Sequence, residues 1–192
     1  MNKSLRFLNS GCGASRKKVF ALLFSLFSFC LVHSQHKYYF RGGTTTGDGS
    51  ERRPFSSLQQ LSRLALKPGD TVFFHAGDSI AGNISLENIH GNKKRDIVFT
   101  SYGKTRSTID GGNKQALVIT GSDHFQVVNI CFFGSGRKSG NTTDGVSFVK
   151  CNNAKIKNLE VSGFQKAGLI LYNSEHSRSI KCIHMTMVLP EF

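Results

Sequence analysis

"ALVITGSDHFQVVNICFFGSG" (116–136), "GVSFVKCNNAKIKNLEVSGF" (145–164) and "GLILYNSEHSRSIKCIHM" (168–185) share one pattern: a small residue, an apolar strand, a polar turn, a second strand and another turn. Leu117, Val146 and Leu169 correspond, and so do Ile119, Phe148 and Leu171. In the second strand Val127/Ile130/Phe132 match Ile156/Leu159/Val161, and Ile180/Ile183/Met185 follow one residue later. Asn129 and Asn158 share a position that becomes Cys182 in the third copy. Apolar residues at equivalent positions of a repeat in the twenties stack into one long core, the mark of a solenoid. A recurring Asn at a bend can hydrogen-bond to its neighbour in the next coil and satisfy groups the bend would strand. The expected fold is therefore all-β, a solenoid of stacked short strands. A β-sandwich, also made of short strands and turns, is the alternative. Leucine-rich repeats are excluded, because the Leu-x-x-Leu-x-Leu frame is absent.

Upstream, "TVFFHAGD" (71–78) and "IVFTSYGKTRSTIDGG" (97–112) read as two earlier, less regular copies, giving starts at 72, 97, 117, 146 and 169. The longest interval holds the polar insertion "RKSGNTTD". Before them, "SSLQQLSRLALKPGD" (56–70) predicts a short amphipathic helix with Leu58, Leu61, Leu64 and Ala65 on one face. Ser56 or Ser57 caps its start and Pro68-Gly69 ends it. Residues 16–35, "RKKVFALLFSLFSFCLVHSQ", place a basic cluster before 14 mostly apolar residues, Val19–Val32. A bilayer span takes about 20 residues, so the stretch reads as a secretory signal peptide cut between Ser34 and Gln35, with a retained anchor as the alternative. Three regions follow: signal peptide 1–34, an N-terminal strand, loop and capping helix 35–70, and β-helix coils 71–192. The chain ends on "IKCIHMTMVLPEF" without a recognisable C-terminal cap, so the solenoid is expected to be an incomplete, C-terminally truncated fragment of a longer protein. Its expected place is secreted, periplasmic or at the cell surface, as a monomer and free of the membrane once the leader is cut.

Lys and Arg total 25 against 12 Asp and Glu, and five of the bases lie in the first 34 residues, leaving 20 against 12 beyond them. The charges are scattered rather than run together, which does not suit a nucleic-acid arm. A basic surface suits a polyanion such as an acidic polysaccharide, or is simply solvated. Beyond the leader Cys131, Cys151 and Cys182 remain, without metal-ligand spacing, and read as small buried hydrophobes, with a disulfide plus a free thiol as the alternative. "GDGS" (47–50) and "IDGGN" (109–113) are turns without calcium-loop spacing, and no Ser/His/Asp array, phosphate loop or dinucleotide fingerprint is present.

The series "KYYFRGG…DGS…PFSSLQQLSRLALKPGDTVFFHAGD…GNISL…IVFTSYGK…STIDGG" (37–112) resembles the opening of secreted right-handed parallel β-helix proteins of the pectin-lyase-like superfamily. Those begin with a "YYV" strand, a Gly/Ser loop, a capping helix and "KPGDT(V/I)xFxxGD", then "I(V/T)(I/F)xxYG" and "xIDG". The match is close over 37–112 and looser to about 185. The resemblance implies a role on polysaccharide: relatives are lyases, glycoside hydrolases, epimerases and non-catalytic surface proteins. It also implies a substrate lying along the outside of one parallel sheet across several coils.

"NTTDGVSF" (141–148) is similar to the "NTDG" element of polygalacturonase-like hydrolases, whose Asp is catalytic, but an extra Thr intervenes. The next coil offers "SGFQKAGLIL" and no paired aspartates. Glycoside hydrolysis uses two carboxyl groups, so that mechanism loses. Lyase chemistry needs a base for the proton α to a uronate carboxylate and a cation or donor to neutralise that carboxylate. Lys166 and Asp144 each precede a strand, one coil apart. Lys166 would be the base if burial lowered its pKa, and Asp144 would ligate Ca²⁺; an exposed ion pair or plain turn residues is the alternative. Arg137 and Lys138 are candidate contacts to an acidic sugar chain, and Tyr172 a ring to stack on a sugar. His124 and His176 align at a turn and read as surface residues. Two functions stay open: a polysaccharide lyase, favoured by a Lys or Arg paired with carboxylates on an outward sheet face, and a non-catalytic glycan-binding or structural β-helix, favoured by a groove of Ser, Thr and Asn.

Overall fold

The computed structural model describes residues 35–43 and 47–180, with side chains of 178–180 not described. A short strand β1 (Lys37–Phe40) leads into a 3-10 helix (Leu58–Arg63). The coils then run β2 (Thr71–His75), β3 (Ser79–Ala81), β4 (Ile84–Glu87); β5 (Ile97–Tyr102), β6 (Ser107–Gly112), β7 (Leu117–Thr120); β8 (Phe125–Val128), β9 (Ile130–Gly134), β10 (Val146–Val149); β11 (Lys155–Lys157), β12 (Glu160–Ser162), β13 (Leu169–Tyr172); and β14 (Arg178–Ile180). Every pairing between these strands is parallel. The first sheet is β1-β2-β5-β8-β11-β14, the second β3-β6-β9-β12 and the third β4-β7-β10-β13. This is a parallel β-helix, and the sandwich alternative falls.

Alternation along each strand sends one set of side chains inward, and the coil-to-coil register stacks like on like. Val72, Phe99, Val127 and Ile156 form one column in the first sheet. Ile80, Ile109, Phe132 and Val161 form another in the second, and Leu86, Ile119, Phe148 and Leu171 a third. Apart from Leu171, these residues are buried. Together they line one continuous core, each large side chain contributing roughly 1.5–3 kcal/mol by leaving water.

The register corrects the repeat expected from sequence. The starts at 72 and 97 lie in the first sheet, whereas 117, 146 and 169 lie in the third. The first-coil equivalent of Leu117 is Ile84, in the stretch "NISLE". Measured on the first sheet, coils begin at 71, 97, 125, 155 and 178, spacings of 26, 28, 30 and 23 residues. What reads as one second strand is two: Asn129 and Asn158 adopt left-handed φ of 60° and 50° at the bend between first and second sheets. Asn158 Nδ2 donates to Asn129 Oδ1 at 2.7 Å, so the expected coil-to-coil asparagine bond forms. In the coil before, Ser101 takes up the slack, its hydroxyl donating to the Asn129 carbonyl at 2.6 Å. Cys182 and the last apolar triple lie outside the described residues, apart from the backbone of Ile180.

The predicted helix is shorter and tighter than an α-helix. Three residues per turn bring Leu58 and Leu61 to the same buried side, while Ala65 is exposed. Ser57 is the cap, in a capping box with Gln60. Beside it Asp70, 1% exposed, accepts the N–H groups of His36 and Lys67, both at 2.9 Å, and so ties β1 to the helix exit.

Cys131 and Cys151 are free thiols buried in the fold, matching their reading as small hydrophobes. Burial, the largest influence, pushes both thiols above their ordinary value. Both should therefore react slowly with a thiol reagent at neutral pH and rapidly once denaturant opens the coils, where a thiol returns to about 8.5. Fast labelling of either in the native protein would contradict their placement.

Candidate functional site

Turn lengths decide where side chains leave the regular coil. Between second and third sheets the connections span 82–83, 113–116, 135–145 and 163–168, so the third is much the longest. It is held from inside by Asn141, which is fully buried. Asn141 Nδ2 donates to the Gly112 carbonyl at 2.8 Å, one coil back. Its Oδ1 accepts the N–H of Thr143 at 3.0 Å and of Gln165 at 3.3 Å, one coil on. Backbone bonds complete the zipper: Ser135 to Gly112, Gly136 to Gly163 and Lys166 to Thr143. The approach at Gly163 is close enough that a Cβ there would collide with the Gly134 carbonyl, and its φ of +77° suits glycine besides.

This corner carries most of the residues singled out from sequence. Arg137 and Lys138 form a single 3-10 turn, exposed. Lys166 is exposed in the next turn, stacked on Thr143. Among the described residues none of these three cations has an acidic partner. Asp144 is half-buried and spends Oδ1 on the Ala167 N–H at 3.0 Å, a turn-stapling role. The two thus lie one coil apart as expected, yet they do not form an ion pair. Lys166 also lacks the burial a basic amine would need. Calcium takes about six to eight oxygens. Among the described residues no three His, Cys, Asp or Glu side chains converge on a metal position, so the donor set at Asp144 does not fit it. Tyr172 is 59% exposed at the end of β13, level with Val149, Thr120 and Glu87 on the outside of the third sheet.

Two other concavities were not legible as sites. A groove of about 470 Å³ on the outside of the second sheet is lined by Ser79, Thr108, Asp110, Phe133 and Ser135. Nearby Arg106 Nη2 meets Glu160 Oε2 at 2.9 Å over the outward-facing Cys131. A second cleft, about 530 Å³, opens at the corner between third and first sheets and is lined by Lys93, Asp96, His124, Asn153, Lys155 and His176. Asp96 is 7% exposed there; its Oδ2 accepts from Lys155 Nζ at 2.5 Å and Gln126 Nε2 at 2.7 Å, and its Oδ1 faces His124 Nδ1 at 3.8 Å. His124 and His176, read from sequence as surface decoration, thus share one cleft. The signal for it was their common offset after a third-sheet strand.

No protein-family model matches the chain, and no curated protein sequence matches it. Among solved structures it is similar to a GH136 lacto-N-biosidase from Eubacterium ramulus, with a TM-score of 0.60 at 19% identity over 82% of this chain and 33% of that one. The chain therefore spans about a third of that enzyme's length. An alginate lyase from a Paenibacillus species aligns over 61% of this chain and 40% of its own at 18% identity, with a TM-score of 0.44. The first likeness supports the β-helix fold.

Proposed function

We propose that this chain is an exported, carbohydrate-binding β-helix that holds an acidic polysaccharide along the corner between its second and third sheets. The observation that carries it is the set of three exposed cations, Arg137, Lys138 and Lys166, without acidic partners among the described residues, on two turns zipped together through buried Asn141. Cations left without protein carboxylates are free for those of a polyuronate, and a rigid turn lowers the entropy of presenting them. Tyr172 offers a ring farther along the same sheet. The fold neighbour, a lacto-N-biosidase by name, supports a carbohydrate as the partner class.

Binding to polygalacturonate or alginate should weaken steeply with salt, since exposed charges are screened over about 8–10 Å at moderate ionic strength. The R137S/K138S/K166S variant should lose about tenfold in affinity, as three exposed charge contacts at roughly 0.2–1 kcal/mol each imply. Equal affinity for a neutral polysaccharide, or an unaffected triple variant, would remove this reading.

A second reading, cleavage by β-elimination, is favoured by the Lys155–Asp96 pair on the outward side of the first sheet. It is tested by the ultraviolet absorbance of unsaturated uronate ends when the protein is mixed with polyuronates. A flat trace from folded, polyuronate-binding protein would leave binding alone.

A further inference from the structure

We infer that the cleft between third and first sheets is a second anion site, taking the carboxylate of a uronic acid residue. The inference rests on the reading above only in taking a sugar as the carrier of that charge. It starts from how the cleft is built. Successive third-to-first-sheet corners place His124, Asn153 and His176 at one position, each at left-handed φ of 51°, 53° and 52°. Two coils therefore lift an imidazole to the same rim, about 10 Å apart, with an amide between.

Beneath them Asp96 is nearly buried, a costly place for a carboxylate unless it is paired and hydrogen-bonded. It is both, and both donors, Lys155 and Gln126, use the same oxygen. Asp96 thereby fixes the Lys155 ammonium at the cleft. An ammonium carries three donors and Asp96 takes one, so the others remain for a ligand. Lys93, exposed on the rim, adds a second cation. The lining holds two lysines against one carboxylate, so it is cationic even with both imidazoles neutral. Its volume of about 530 Å³ lies in the range of small-molecule pockets, roughly 300–1,000 Å³. Ring nitrogens, ammonium and the Asn153 amide supply both donors and acceptors, which suits a carboxylate flanked by hydroxyls better than a bare inorganic anion.

The test follows His124 and His176 ring signals by NMR in the full chain during titration with an oligouronate, a size-matched neutral oligosaccharide and inorganic sulfate. The oligouronate should move both signals at concentrations where the other two do not. His124→Asn with His176→Asn, which copies what Asn153 already does at that backbone conformation, should weaken oligouronate binding about tenfold when it is followed through the Asn153 side-chain amide signal, which both proteins keep. The R137S/K138S/K166S variant should retain the response. Equal response to sulfate or the neutral sugar would overturn the uronate assignment. Oligouronate binding that moves only signals of the 135–145 and 163–168 turns would overturn the cleft and leave the proposed function standing. No binding by folded protein would remove both.

Discussion

Replacing Phe148 with alanine should destabilise the fold by about 3–5 kcal/mol, the range for truncating a fully buried aromatic. Phe148 is fully buried and sits in the third-sheet column between Ile119 and Leu171. Its ring also meets Phe125 of the first sheet at 5.6 Å between centroids. Truncation therefore opens a void that touches two sheets and the coil on either side. Because each coil leans only on its neighbours, the loss falls on two coil interfaces at once. Chemical denaturation of the variant is the measurement, with Val149→Ala as its control. Val149 is the next residue on the same strand and faces outward, so its truncation should cost less than about 1 kcal/mol. If the two variants lost equal stability, the inward–outward alternation that defines this strand would be wrong.

The alternation and the columns were readable because a repeat writes the same inward position several times. Leu117, Val146 and Leu169 align in sequence and stack in space for one reason. The phase between early and late copies was not readable. A first-sheet strand such as "TVFF" and a third-sheet strand such as "LVIT" each bury two alternate residues, so hydrophobicity alone does not say which sheet either joins. The turns carry that information, and they vary. After each third-sheet strand the left-handed residue is Asn88, Gly121, Lys150 or Asn173 in turn, asparagine at two of the four positions and glycine and lysine at the others. Three of the four have their N–H bonded to the following coil, which is what tolerates a lysine there.

Candidate sites divide the same way. The long turn bearing Arg137 and Lys138 stood out as an insertion in the repeat, and Asp144 and Lys166 as residues just before neighbouring strands. What sequence could not give was the division of labour: Asp144 staples a turn, while Lys166 has no acidic partner among the described residues. The cleft around Asp96 was less accessible still. Lys93, Asp96 and Lys155 share no local spacing with His124 and His176, whose common offset was the sequence signal. Only the coil register brings them together, and that register was the part read out of phase.

Asn141→Ala should couple the two levels, lowering stability and polyuronate affinity together. The side chain is fully buried and bonds coil to coil in both directions, to the Gly112 carbonyl and to the Thr143 and Gln165 N–H groups. Alanine takes the acceptor from the Thr143 and Gln165 N–H groups, while the Gly112 carbonyl keeps the Ser135 N–H; each polar group stranded away from water costs about 1–3 kcal/mol. Water entering the vacated space would recover part of that, so a net loss of about 2–4 kcal/mol is expected. The core columns do not pass through Asn141, so the damage should concentrate in the 135–145 turn, with faster amide exchange there than in β9 or β10. Affinity should then fall with Arg137 and Lys138 unchanged in sequence, because an ordered turn has become one that must be ordered on binding. A serine at the position keeps an acceptor for Thr143 and should restore part of both losses. An alanine variant that lost stability while holding polyuronate at full strength would separate the two. The turn would then be a structural staple, and the anion would have to be sought elsewhere on the coils.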